Sequence, residues 1–210
     1  MKDGDVSDLI LLPRRVVQQP TPLLNASGDC GACVLGGLTD LPLADVYAKL
    51  QRNGPRPFAR SDMIDALHDG SRMGLFERCY TSSPSWTVDD WFGEWGNVGW
   101  MQSGPWHNYV RLGLEAGCYA IAEVRWAKDG PLGGHADHWV LLCGARTYWK
   151  ALGEGFGDRC VGSPQILVSC SSRTTPDEEW VEPSTFLRQR GGFNVLLVRP
   201  PRYYVVSDGP

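Results

Sequence analysis

Residues 109–126, YVRLGLEAGCYAIAEVRW, hold the change of period on which the architecture turns. Tyr109 to Ala116 reads as a helix, closed by Gly117 just past its end, where a left-handed backbone suits a residue without a Cβ. From Tyr119 to Trp126 the side chains alternate with the two-residue period of a strand. Upstream of this switch the patterns are helical. Leu43, Val46, Tyr47 and Leu50 follow Pro42 at helical spacing. Ser61 can cap a helix reaching about residue 73, with Met63, Ile64, Leu67 and Met73 on its buried side. Thr87 can cap another over Val88–Trp95, with Asp89 and Asp90 in the first turn, where carboxylates suit the helix dipole. Downstream, residues 138–143, 165–169, 194–198 and 203–206 are short apolar runs that read as further strands. Glycine- and proline-rich stretches at 128–134 and 153–164 separate them. Helices first and strands afterwards predict an α+β architecture rather than alternating α/β.

The chain of 210 residues suits one domain built from two lobes: a mainly helical one over 1–117 and a β-rich one over 118–210, with a cleft between them. Hydrophobic content of 42% and charged content of 21% are those of an ordinary globular protein. A net charge of −4 argues against a nucleic-acid partner, which calls for a basic face. The apolar run Leu9–Leu12, ended by Pro13, Arg14 and Arg15, is too short for a signal segment or a membrane span. The seven cysteines form an odd set without framework spacing, and Cys118, Cys143 and Cys170 sit in strand patterns as small hydrophobes. A reduced, cytoplasmic protein is the simplest expectation.

Within the helical half, residues 25–35, NASGDCGACVL, place a cysteine at the start of a short apolar helix over 32–38. Free N–H groups and the helix dipole there favour a thiolate and lower its pKa, and the same groups can bind a developing oxyanion. A thiol nucleophile needs a base. Of the four histidines, His138 is the best placed, because it heads a buried strand and so is held rigidly. His135 lies in a glycine-rich loop, His68 in a helical pattern on a solvated face, and His107 beside Trp106 at a rim.

The pair of motifs, DCGAC at 29–33 and DHWVLLCG at 137–144, resembles the papain-like cysteine peptidase superfamily. Papain and the cathepsins show Cys-Gly-Ser/Ala-Cys-Trp with the second cysteine attacking; here Val34 replaces the tryptophan. The bacterial double-glycine leader peptidases show Asp-Cys-Gly with the first cysteine attacking. Their downstream order is similar to residues 115–122, EAGCYAIA, followed by the histidine strand. The resemblance spans roughly residues 25–200 as an ordered set of short motifs and implies a papain-like fold. It implies cleavage of a peptide or protein substrate through an acyl-enzyme, with no cofactor and no metal. Deamidase- or transglutaminase-like acyl transfer is the related chemistry.

Cys30 is favoured as nucleophile over Cys33 because it gives the helix nearly another turn, and because Gly31 would let a substrate approach. Relatives place a glutamine six residues before the nucleophile for the oxyanion hole; Asn25, five residues before Cys30, is the nearest substitute. Relatives also carry an Asn or Asp after the next strand to orient the histidine. Here that strand runs into Ser169, Cys170, Ser171 and Ser172, so Ser169 or Ser171 is the candidate orienting residue. Asp177, Glu178 and Glu179 read as a solvated acidic loop. A poorly oriented imidazole would leave activity slow or dependent on a regulatory protein partner.

Two rival readings stand beside the enzyme. One is a papain-fold module that has lost catalysis and binds a peptide or protein. The other is a redox or zinc site built on Cys30 and Cys33, which lacks a second ligand pair. Trp86, Trp91, Trp95, Trp100 and Trp106 read as core and rim of the helical lobe, with a cleft wall as the alternative. Trp139 should face away from His138 into the sheet packing. Gly191 to Asn194 reads as a turn.

Overall fold

The computed structural model describes residues 1–16, 29–50, 58, 60–68, 87–91, 105–125, 137–154, 156–171, 178–189 and 192–199. Twelve elements follow in chain order: β1 (Val6–Leu11), α1 (Cys30–Thr39), α2 (Leu43–Lys49), α3 (Arg60–His68), β2 (Thr87–Trp91), α4 (Pro105–Glu115), β3 (Tyr119–Arg125), β4 (Asp137–Ala151), β5 (Cys160–Ser169), β6 (Glu178–Val181), α5 (Pro183–Gln189) and β7 (Gly192–Arg199). Among the described residues seven strands form one open sheet in the order β2-β7-β3-β4-β5-β6, with β1 added alongside β4, and every pairing among them is antiparallel. The protein is therefore α+β, as the change of period at Gly117 predicts.

β4 organises the sheet. Its first half pairs with β3 from Arg125↔Asp137 to Ala120↔Leu142. Its second half takes β1 on that side, from Leu11↔Gly144 to Val6↔Tyr148. β5 runs along the other side and its ladder ends at Leu141↔Ser169. A register shift between Leu142 and Gly144 inserts an extra residue. A Cβ on Gly144 would press on the Ile10 carbonyl oxygen and on Leu167 Cβ, each at 3.0 Å, which explains glycine where β1 and β5 close on β4 from both sides.

Alternation along the strands divides the core between the two faces. Tyr119, Ile121, Trp139, Leu141, Cys143, Leu167, Leu196 and Val198 meet α1, α2 and α3 through Val34, Leu35, Leu38, Val46, Met63 and Leu67. Ala120, Ala122, Val140, Leu142, Val168, Cys170, Val195 and Leu197 meet α4 and α5 through Val110, Leu114 and Phe186. Helices thus cover both faces of the sheet.

The segment CGACVLGGLT is a poor helix by propensity, since each of its three glycines costs about 1 kcal/mol relative to alanine. Burial sustains it: every residue from Cys30 to Leu38 is buried. Two of the glycines, Gly31 and Gly37, lie where neighbours come close. Gly37 packs against the backbone at Arg15 and Val16, and a Cβ there would overlap the Arg15 carbonyl. The chain before α1 is strapped down by Leu12 N–H donating to the Cys143 carbonyl at 2.9 Å and by Arg15 Nε donating to Glu178 at 2.6 Å. At the far end Asp40 adopts a left-handed conformation at φ 57° and its carboxylate pairs with Arg14.

Several expectations change. Residues 87–91 form a strand, not the start of a helix, and pair with β7 from Thr87↔Arg199 to Trp91↔Val195. The open side of β7 offers a whole ladder to a segment that begins with two β-branched residues, and this outweighs the capping pattern. Residues 92–95 lie outside the described residues. β1 and β2 come from the N-terminal half and join the same sheet, while α5 comes from the C-terminal half. Residues 160–164, read as part of a loop, extend β5 because β4 continues opposite them to Ala151. Gly192 to Asn194 belong to β7 rather than to a turn, and Glu178 and Glu179 to β6 rather than to a loop. The helix over 109–116 begins earlier, at Pro105. The strand expected at 203–206 lies outside the described residues, as do Trp86, Trp95 and Trp100. Among the described residues no helix is long and apolar enough to cross a membrane.

Gly37→Ala should destabilise the fold by about 1–3 kcal/mol or more, because the new methyl meets backbone rather than a side chain that can turn aside. A urea midpoint equal to that of the unsubstituted protein would contradict the tight strap of residues 12–16 over α1.

Candidate active site

Cys30 is the first residue of α1 and is 6% exposed. Asp29 precedes it, 1% exposed, and its carbonyl accepts the first helical bond from Cys33 N–H at 2.8 Å. The Asp29 side chain does not cap the helix; its carboxylate accepts from the Tyr47 hydroxyl of α2. The turn into α1 is therefore anchored to the next helix, and the nucleophile candidate stands on a fixed base.

The Cys30 sulfur lies against backbone N–H groups of Trp139, Gly31 and Cys30 itself, the environment expected of a helix start. Burial nevertheless dominates. Loss of solvent pushes the thiol up from 9.0 to about 11, against the lowering by those three N–H groups. The low-pKa thiolate expected from the sequence is thus not the resting state. Cys33, fully buried one turn on, is pushed up to about 12, first by burial and then by the nearby Asp29 and Cys30; the Ser171 hydroxyl beside its sulfur opposes this.

Phe58 packs beside Gly31, the residue after Cys30, and belongs to the same buried cluster. Its ring packs where a Cβ of Gly31 would stand, with Cγ 2.5 Å from that position. Its carbonyl accepts from Trp139 Nε1 at 3.0 Å. The space beside Gly31, expected to admit a substrate, is filled by this ring. Trp139 itself, 1% exposed, is buried on the α1 face.

His138, 2% exposed, lies at the beginning of β4 opposite Val124. Its Nε2 stands 3.2 Å from Cys170 Sγ. Cys170 follows the end of β5 and is 3% exposed. The alternation explains the encounter. His138 shares the parity of Val140 and Leu142, and Cys170 that of Val168 and Ile166, and Cys170 packs in the cluster with α4 and α5. Ser169 and Ser171 have the other parity. Ser169 Oγ accepts from Val16 N–H at 3.1 Å, and Ser171 is beside Cys33. Of the three residues at this strand end, it is Cys170 that meets the ring.

The candidate residues thus converge on the start of β4 from two sides. Cys30 reaches the backbone of Trp139 from α1, and His138, the preceding residue, turns toward Cys170. Both Cys30 and Cys33 are near enough to Cys170 for its charge to raise their pKa values. Asn25 lies outside the described residues, as do His135, Asp177 and Cys79. His68 closes α3, and His107 is half-buried in α4. The six described cysteines, at 30, 33, 118, 143, 160 and 170, are free thiols. Among the described residues no group of three or more His, Cys, Asp or Glu side chains could hold a metal ion.

The part played by Cys170 has a trace in the sequence: residues 169–171 alternate as a strand continues, and only the middle one shares a face with His138. Phe58 left no comparable signal, because its partner Gly31 is 27 positions away in the chain.

Cys30, Cys33 and Cys143 all have raised pKa values, the last pushed to about 12 by burial. Below pH 9 these thiols are protonated in folded and unfolded chains alike and the stability they contribute is complete. As pH rises past 9 the unfolded chain ionises first, and stability is lost progressively up to the folded values of 11 to 12. The added slope approaches about 4 kcal/mol per pH unit with all three ionising. Urea titrations between pH 8 and 11 should show it, and Cys143→Ala should reduce this slope by about a third whatever its effect at neutral pH. An unchanged slope in that variant would contradict the burial of the Cys143 thiol.

Comparison of the chain with protein-family models and with curated proteins finds no match.

Proposed function

We propose that the protein is a papain-like thiol hydrolase that cleaves a peptide or protein substrate through an acyl-enzyme on Cys30. The observation that carries this reading is the place of the Cys30 sulfur, at a helix start among three backbone N–H groups and against the residue that follows His138. In the reaction His138 takes the thiol proton as sulfur bonds to the substrate carbonyl carbon. The imidazolium then returns that proton to the departing amine, and water releases the acyl group by the same base. The N–H groups at the start of α1 would hold the oxyanion. Cys33, one turn further on and fully buried, packs inside the helix.

A high thiol pKa does not oppose this chemistry. A neutral Cys–His pair can transfer its proton as attack occurs, so the base acts in the transition state rather than beforehand. The cost is a slow resting thiol. The Phe58 ring beside Gly31 further implies that substrate must displace this ring, or that a protein partner must do so.

A second reading is a papain-fold module that binds peptides without cleaving them. The thiol pushed up to about 11 and the sulfur in place of an amide or carboxylate beside His138 favour it.

Acylation by p-nitrophenyl acetate, an activated ester that needs no peptide specificity, separates the two. The enzyme reading expects release of one equivalent of p-nitrophenol and an acetyl adduct mapped to Cys30. Cys30→Ala should lose the adduct and Cys33→Ala should retain it. His138→Gln should slow acylation by about 100-fold or more. Acylation no faster than a free cysteine of matched pKa would leave the binding module. Phe58→Ala should raise the iodoacetamide labelling rate of Cys30 while destabilising the fold by about 3–5 kcal/mol. An unchanged rate would show that the ring does not cover the sulfur.

A further inference from the structure

We propose that Cys30 and Cys33 form a redox-active dithiol, which a small hydroperoxide closes to a disulfide and a thiol reductant reopens. Its chemistry stands apart from the thiol-hydrolase reading; its consequence rests on that reading, under which Cys33 returns an oxidised nucleophile to service.

The two cysteines are the first and fourth residues of α1. One helical turn holds their Cα atoms about 5 Å apart, inside the span of about 4.4–6.8 Å that a disulfide bridges. Their Cβ atoms, about 5–6 Å apart at this spacing, must close by roughly 1–2 Å. A helix start can give that much. Cys30 N–H is one of the first four, which have no helical acceptor. The turn closes through Cys33 N–H, which donates to the Asp29 carbonyl at 2.8 Å. Passing this N–H to the Cys30 carbonyl tightens the turn to three residues and keeps the donor bonded. The sulfurs already sense each other, since the charge of Cys30 raises the Cys33 thiol. Cys170 acts on both in the same way, yet it packs in the cluster with α4 and α5. The partner one turn from Cys30 is Cys33.

Hydrogen peroxide is small enough to reach a thiol that is 6% exposed. Cys30, less buried than Cys33 and with three backbone N–H groups around its sulfur, reacts first. Once its proton is lost, the sulfur attacks one peroxide oxygen. The O–O bond breaks, hydroxide leaves and takes up a proton as water, and Cys30 is left as sulfenic acid. Cys33 then loses its proton and attacks the Cys30 sulfur; the S–O bond breaks, a second water departs and the disulfide forms. The two thiols give up two electrons and two protons, and the peroxide is reduced to two waters. Burial pushes the Cys30 thiol up to about 11, so its thiolate is scarce at neutral pH and the first step is slow. Among the described residues, the other titratable groups that act on the pair are Asp29 and Cys170.

The sequence makes the test direct. Trypsin cuts after Arg15 and Lys49 and nowhere between, so residues 16–49 carry Cys30 and Cys33 and no other cysteine. The folded full chain is treated with hydrogen peroxide, blocked with iodoacetamide and digested. This peptide should escape alkylation and weigh about 2 Da less than its dithiol form, and dithiothreitol should restore the dithiol. Disulfide formation should quicken about tenfold per pH unit between pH 7 and 9. Cys33→Ala should instead collect sulfinic acid on Cys30, about 32 Da heavier and not reversed by dithiothreitol. Cys30→Ala should leave Cys33 reduced over the same time. If either variant fails to fold, the peptide mass in the unsubstituted protein decides the question by itself. Under the hydrolase reading, peroxide should abolish acetylation of Cys30 by p-nitrophenyl acetate. Dithiothreitol should then restore it in the unsubstituted protein and not in Cys33→Ala.

Four results would overturn the proposal. Residues 16–49 could gain about 32 Da with Cys33 in place, which means that Cys33 does not resolve the sulfenic acid. A disulfide could join this peptide to the one carrying Cys170. The peptide could stay reduced while Cys160, half-buried at the start of β5, is oxidised. Or the rate could be flat with pH, which contradicts attack by the Cys30 thiolate. If Cys30 is never acetylated, the hydrolase reading fails, and the mass of residues 16–49 still decides the dithiol.

Discussion

Packing of α1 against β4 is the constraint from which the rest of the site follows. A helix with three glycines in ten residues has little intrinsic reason to form. It forms because the sheet on one side and the chain before it at Arg15 and Val16 on another bury it from Cys30 to Leu38. Gly37 is where that chain approaches and Gly31 is where Phe58 does, so at these two positions the weakness of the helix and the closeness of its packing have one cause. The same closeness puts Cys30 against the backbone of Trp139, and hence one residue from His138.

That packing sets two influences against each other at the sulfur. Helix N–H groups favour the thiolate, and removal from water favours the thiol. At Cys30 burial is the larger, and the thiol rests protonated near neutral pH. In the proposed reaction a protonated nucleophile would shift the demand onto the base, because proton removal would accompany attack. The quality of the hydrogen bond behind His138 then matters more than it would for a preformed thiolate.

The architecture was largely legible in the sequence where a local signal was sufficient. The alternation after Gly117 located β3 and the core of β4, β5 and β7, because a strand buried on both faces leaves an apolar run between turn residues. The apolar spacings around residues 43–50 and 61–67 located α2 and α3. Thr87 to Trp91 shows where such signals fail. Its cap-and-carboxylate pattern is that of a helix start, and only the unpaired side of β7 makes it a strand. β1 was invisible for a related reason, since its short apolar run gains structure only by lying beside the second half of β4.

For the site, the sequence by itself determined that a cysteine begins a short apolar helix and that a histidine begins a buried strand. Both follow from turn residues and periodicity within a few positions. Only the tertiary structure decided the state of these groups. It brought Phe58 over Gly31, turned Ser169 and Ser171 away from the ring and Cys170 toward it, and let burial outweigh the helix dipole at Cys30. Desolvation and contacts across strands depend on what lies nearby in space, and residues far apart in the chain supply it.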